Sequence, residues 1–477
     1  MQTLMLLGFG IYFVILSLIA IIATKKALKD QDHSSFMVGN RSINYWLTAL
    51  SAHASDMSDW LFMAYPAAIF VGGLLQSWIA IGLVIGMFCN WHFVAPKLRI
   101  MTEKYNVFTL SSFFEKRFND KSGILRIVSA ILSLFFITIY IAAGLKGIGF
   151  LMQAVFGVSY STAIIGAIFM VLAYTLIGGF IAVAWVDAFQ AIFLLLMILI
   201  VPILAYIRLD SFQDIINVAN AKNISLSLLP DYSLKTIINA ILISLGWGLG
   251  YFGMPHILAK FMGISDPREL NKSKYIGITW QIIILAAATA VGIVALPYFV
   301  SGLANKELVF VELVKMLFHP LSAGLVLCGI VAATLSTIDS QVLVLASLLT
   351  QDFYKNIFKD AKIKNLVWVF RINILITSLI SACIALVFSH DTIMSLVAYA
   401  WMGLGPTFGP LVIAALYGEN KVNKYGAFAG IVSGGLIAAL WNPVLQKFIA
   451  YPIPAMVPAF FSSLILIFIV SAIFKKR

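Results

Sequence analysis

The chain has 477 residues, a formal net charge of +12, and a composition that is 61% hydrophobic but only 11% charged. Soluble domains are about 45–50% apolar and about 25% charged, so a soluble globule, a disordered chain and a disulfide scaffold are excluded. The basic residues sit in short gaps between long apolar runs, which argues against a nucleic-acid partner.

A membrane-spanning helix needs about 20 mostly apolar residues. In chain order, thirteen runs meet that need: residues 4–24, 45–71, 74–94, 127–156, 160–180, 181–207, 236–258, 276–300, 321–349, 367–388, 392–417, 425–441 and 453–473. The fifth and sixth abut at Gly178, Gly179 and Phe180. No basic residue precedes the first run, and Lys25, Lys26 and Lys29 follow it, so it reads as a retained helix rather than a signal peptide. Cys89, Cys328 and Cys383 all lie inside apolar runs, where neither a disulfide nor a metal site is expected.

Cytoplasmic loops carry an excess of Lys and Arg. With the N-terminus outside, 25 of the 32 Lys and Arg fall on the inner side and six on the outer, with Lys146 inside a run. The expected fold is therefore an all-α polytopic membrane protein of about thirteen helices, N-terminus out and C-terminus in. The gaps at residues 95–126 and 208–235 are too short for a soluble domain, so residues 1–477 read as a single transporter domain.

Two runs are interrupted. The second breaks around residues 51–59, where two carboxylates, three serines and a histidine fall together. The seventh breaks around residues 246–255, which hold four glycines and a proline. Broken helices at matching positions are the best sequence pointer to a transporter's binding site. Unwound backbone is tolerated in a membrane only where it lines a cavity or is buried in protein. The spacing predicts two five-helix repeats, residues 45–207 and 236–417, with 4–24 and 425–473 as additions. Gly248, Gly250 and Gly253 match a dinucleotide fingerprint, but no strand precedes them. No P-loop is present, so ATP is not the expected energy source.

Ionisable residues within spans are costly and read as functional by default. Asp56 and Asp59 lie at the first break, Asp187 lies in the sixth run, and Asp339 lies in the ninth beside Ser336, Thr337 and Ser340. Hydroxyls and a carboxylate clustered this way suit a hard cation, which takes oxygen ligands. Lys146 is expected to snorkel from a helix end. His53 and His256 have no metal-ligand spacing and read as packing or pathway residues. Trp247 and Tyr251 share a helix face and read as packing or as the wall of a solute site. No nucleophile–base arrangement stands out, so an enzyme is not expected.

Four stretches together resemble the sodium:solute symporter family, and within it the proline-transporting branch. They are residues 54–58, 177–187 and 246–260, and Ser336-Thr337 in the ninth span. The resemblance implies the inverted-repeat, leucine-transporter-like fold in the plasma membrane. It implies sodium-coupled import of a small solute, foremost L-proline, by alternating access, with sodium co-transported and no organic cofactor. The alternatives are another amino acid, a carboxylate or a cationic solute, or proton coupling. A lipid bilayer is the other partner, and no obligatory protein partner is evident.

By position, the resemblance assigns sodium to carbonyls of Ala54, Met57 and Ala333 and hydroxyls of Ser336 and Thr337. It assigns solute binding or coupling to Asp56, Ser58, Trp247, Tyr251 and Pro255, and a cytoplasmic-side role to Arg41. Three substitutions depart from the branch: Asp59 stands where Gly is usual, His53 where a small residue is usual, and Asp339 where Ser is usual. Asp59 is expected to narrow the solute pocket, to favour a more cationic solute or to point away. Asp187, Asp339 and Ser340, with Ser336, are the candidate second cation site.

Overall fold

A computed structural model describes residues 2–27, 37–355, 358 and 363–475. Lys29, Lys359, Lys362, Lys476 and Arg477, counted above as inner-side charges, lie outside the described residues. Among those described the architecture is helical throughout, with no strand beyond an isolated bridge between Ile43 and Ile264.

The helices in chain order are α1 (Gln2–Ala27), α2 (Tyr45–Ala54), α3 (Ala64–Gly72), α4 (Trp78–Cys89), α5 (Ala95–Lys104) and α6 (Leu110–Arg117). Then come α7 (Ile124–Phe156), α8 (Tyr160–Ile207), α9 (Phe212–Ala221), α10 (Leu234–Gly248), α11 (Pro255–Met262) and α12 (Leu270–Val294). The last six are α13 (Val309–Leu317), α14 (Pro320–Leu348), α15 (Ile363–Val387), α16 (Ile393–Tyr417), α17 (Lys424–Trp441) and α18 (Met456–Ile473).

Eleven helices among the described residues are long and apolar enough to cross a membrane, against thirteen expected runs. The difference has a local cause. The first break leaves α2 only 10 residues long, and the rest of that run, α3, is joined to α4 of the third run through a 3₁₀ turn at Gly73–Ser77, so the two runs count together over Asp59–Lys104. The fifth run is helical as well, forming the first part of α8. The fifth and sixth runs meet inside the 48-residue α8 at Gly179, whose φ of 58° interrupts the helix where the two runs abut. A positive φ is cheap only for glycine.

Both broken helices end for reasons written in the residues. Asn44 caps α2, its side chain accepting from the Leu47 N–H at 2.9 Å. Helix α2 stops at Ala54, and a 3₁₀ turn over Asp59–Leu61 precedes α3. Helix α10 passes into a 3₁₀ turn at Leu249–Gly253, and Met254 is extended before Pro255 opens α11. The residue before a proline avoids the helical region, and proline suits a helix's first turn.

Helix α14 lies at the centre: its most apolar window is 83% buried, against 33% for the peripheral α1 and α18. Helix α4 lies directly on α10, where a Cβ on Gly86 would collide with the Gly248 backbone. Small residues permit such close approach between helices in a membrane. It brings Asn90, just beyond α4, to the second break.

Candidate functional site

The two breaks face each other. The Tyr251 hydroxyl donates to the Asp56 carboxylate, and Gln281 Nε2 of α12 donates to the Tyr251 oxygen at 2.8 Å. Asn90 donates to the Tyr251 carbonyl at 3.0 Å, and the Trp60 indole reaches the Asp56 carbonyl at 3.4 Å. Side chains thus satisfy carbonyls that unwinding leaves free, as an apolar surrounding requires.

An aromatic wall flanks this junction. Trp60 stacks on Trp247 with ring centroids 5.8 Å apart, and Trp401 stands edge-on to Tyr251 at 5.1 Å. The Trp401 indole holds the Trp247 carbonyl at 2.9 Å. Pro255 lies below the break, lining a cavity with His256, Lys260 and Ser340.

A second cluster joins the first break to α14. Ser336 Oγ lies 2.9 Å from the Ala54 carbonyl oxygen and 3.0 Å from that of Ala333. Thr337 Oγ1 lies 3.0 Å from the Ala333 oxygen and accepts from the Ser58 N–H at 3.0 Å. Met57, fully buried, occupies the turn between Ala54 and Ser58. The oxygens of Ala54, Ala333, Ser336 and Thr337 therefore converge out of contact with water, a donor set a hard monovalent cation can use.

Asp187 is also fully buried. Its Oδ2 accepts from Ser51 at 2.7 Å and Ser340 at 3.4 Å, and pairs with Lys260 Nζ at 2.8 Å. Asp339, also fully buried, accepts at Oδ1 from Thr175 of α8 at 2.8 Å.

Asp59 is buried, and neither carboxylate oxygen has a hydrogen-bond partner. It presses on α7 at Gly147, where an added Cβ would collide with its Oδ2. Lys146 beside it does not snorkel. It is buried, and its ammonium donates to the Phe388 and Ser389 carbonyls, each at 2.7 Å, just beyond α15. A cation there complements a helix C-terminus. Glu307 holds the other end of that turn, accepting from the Ile393 and Met394 N–H groups at 3.0 Å. Burial pushes the Glu307 carboxyl above its ordinary range, against the pull of those two amides.

Arg41 lies away from the breaks and ties together segments distant in sequence. It donates to the Met262 carbonyl at 2.9 Å, the Val107 carbonyl at 3.1 Å and Thr102 at 3.3 Å. The Ile43 N–H reaches the Gly263 carbonyl at 3.3 Å, so the start of the first broken helix is fastened to the end of the second. His53 packs, accepting from the Trp91 indole at 3.0 Å. Sequence reasoning missed Tyr140, whose ring meets His256 edge-on at 6.0 Å, and Gln281; both are buried polar residues inside apolar runs. It also took Lys260 for a loop charge.

The sodium:solute symporter family model matches residues 36–435. The sodium/proline symporter of Escherichia coli strain K12 is 40% identical over 92% of this chain and 88% of its own. That of Staphylococcus aureus strain JH9 is 38% identical over 98% and 92%. A Na+-coupled sialic acid symporter, solved substrate-bound and outward-open, superposes with a TM-score of 0.82 at 16% identity, covering 99% of this chain and 98% of its own. The chain is thus a multi-pass membrane transporter of the leucine-transporter-like fold, and it belongs to the sodium:solute symporter family.

Proposed function

We propose that this protein imports L-proline with sodium across the plasma membrane by alternating access, with its N-terminus outside. The observation that carries this reading is the junction of the two breaks, Asp56 against Tyr251, beside the oxygen cluster of Ala54, Ala333, Ser336 and Thr337. Two relatives of about 40% identity that bear the name sodium/proline symporter support the choice of solute.

In this reading sodium enters the oxygen cluster with the Met57 carbonyl as a further ligand, tying the first broken helix to α14. That favours the outward-open state and orders the solute pocket between Asp56, Ser58, Trp247, Tyr251 and Pro255. Solute binding permits closure, and the two broken helices, fastened through Arg41, rock inward as a pair. They belong to repeats over 45–207 and 236–417.

The driving force suffices. One charge crossing ~150 mV gives about 3.5 kcal/mol, and a tenfold sodium gradient adds about 1.4 kcal/mol. Together they support roughly thousandfold accumulation of a neutral solute.

A cationic solute is the second reading, favoured by the carboxylate of Asp59, whose oxygens have no hydrogen-bond partner. Competition of labelled proline uptake by proline and by cationic amino acids separates the two. Inhibition by proline at far lower concentration supports the first, and the reverse order supports the second.

A further inference from the structure

Asp187 gathers three donors from three helices: Ser51 from α2, Lys260 from α11 and Ser340 from α14. One carboxylate and two hydroxyls, closed off from water, form an oxygen set fit for a hard cation. In this chain an ammonium already stands among them. The Lys260 side chain is 3% exposed, and its Nζ also faces the Phe180 ring at 5.2 Å. Both Ser51 and Lys260 reach the same carboxylate oxygen, Oδ2, so the positive charge lies where the hydroxyl also points.

We propose that Lys260 acts as a tethered cation that fills the Asp187 site, so that the chain binds one sodium rather than two. A buried carboxylate calls for one compensating charge, and removing that charge leaves it strongly disfavoured. A second cation at Asp187 is repelled by the first, which cannot diffuse away because it is covalently part of α11. The tether also gives the site a moving part. Lys260 belongs to the second broken helix and Ser51 to the first, so their shared hold on Asp187 of α8 changes when the pair moves.

This inference rests on the reading that sodium binds the cluster of Ala54 and Thr337, and its test is read without any solute. The test is equilibrium binding of radioactive sodium to the purified full-length protein, with thermal unfolding at graded sodium as a second readout. One sodium per chain with a Hill coefficient of one is expected for the unaltered protein. Lys260→Met is expected to take up a second sodium, with the Hill coefficient rising towards two. The double variant Lys260→Met with Asp187→Asn is expected to return to one. Where Lys260→Met does not fold, Lys260→Arg keeps the charge and is expected to bind one, and the count on the unaltered protein decides. Two sodium ions on the unaltered chain overturn the proposal, as does a folded Lys260→Met that still binds one. Absence of any bound sodium overturns the symport reading as well, so the two failures are distinguishable.

Discussion

Tyr251 donates its hydroxyl hydrogen to Asp56, and this bond joins two helices interrupted almost 200 residues apart at the points where each is interrupted. Its partners are fixed in turn: Gln281 donates to the same hydroxyl oxygen, and Asn90 holds the Tyr251 carbonyl. The polar groups at the junction are thus already oriented, as the proposed solute site between the breaks requires.

Asp56→Asn and Tyr251→Phe each remove one side of that bond. Hydrogen bonds to charged groups contribute about 1.5–3 kcal/mol, so each variant should weaken solute affinity by roughly 10–100-fold. Because the residues act on each other, the double variant should lose much less than the sum. Solute-concentration curves of uptake for the four proteins check this.

Ser336→Ala and Thr337→Ala should raise the sodium concentration for half-maximal uptake by roughly tenfold each, with a smaller effect on maximal rate at saturating sodium. The hydroxyls touch the Ala54 and Ala333 carbonyls and the Ser58 amide, so they bear on sodium first and on solute through Ser58. Sodium titration of uptake at fixed solute measures both effects.

Gly147→Ala should destabilise the protein by about 1–3 kcal/mol, the usual range for overpacking, because its new methyl group meets the Asp59 carboxylate. Asp59→Gly should remove that penalty in the double variant. Thermal unfolding in detergent for the single and double variants provides the test. A penalty that persists after Asp59→Gly would contradict the contact.

Arg41→Ala should lower both the unfolding temperature and uptake, since three acceptors from separate segments lose their donor. Arg41→Lys should restore little of either. An ammonium is a point donor and cannot reproduce the planar fork that spans Met262 and Val107.

The sequence made the apolar runs, the two breaks and the meeting point of the fifth and sixth runs at Gly179 readable, because each is a local property of ten to twenty residues. Ser336 and Thr337 were readable as a cluster for the same reason. What stayed hidden depends on contacts between residues far apart in the chain. Lys260 counts as a loop charge until α11 carries it to Asp187, 73 positions earlier. Asp339 meets Thr175 of α8, 164 positions earlier, a contact no local pattern announces. Lys146 looks like a snorkelling residue until the end of α15 presents its carbonyls. The second run holds no single long helix because the break after Ala54 leaves α2 only 10 residues long.

The most direct test of the account is uptake of labelled proline into proteoliposomes under an inward sodium gradient, with potassium and proton gradients as controls. The account predicts saturable uptake that requires sodium, is enhanced by an inside-negative potential, and is lost in Asp56→Ala and in Ser336→Ala with Thr337→Ala. Proline uptake of equal size under a potassium or proton gradient alone, or no proline uptake by protein that sodium stabilises, would contradict it.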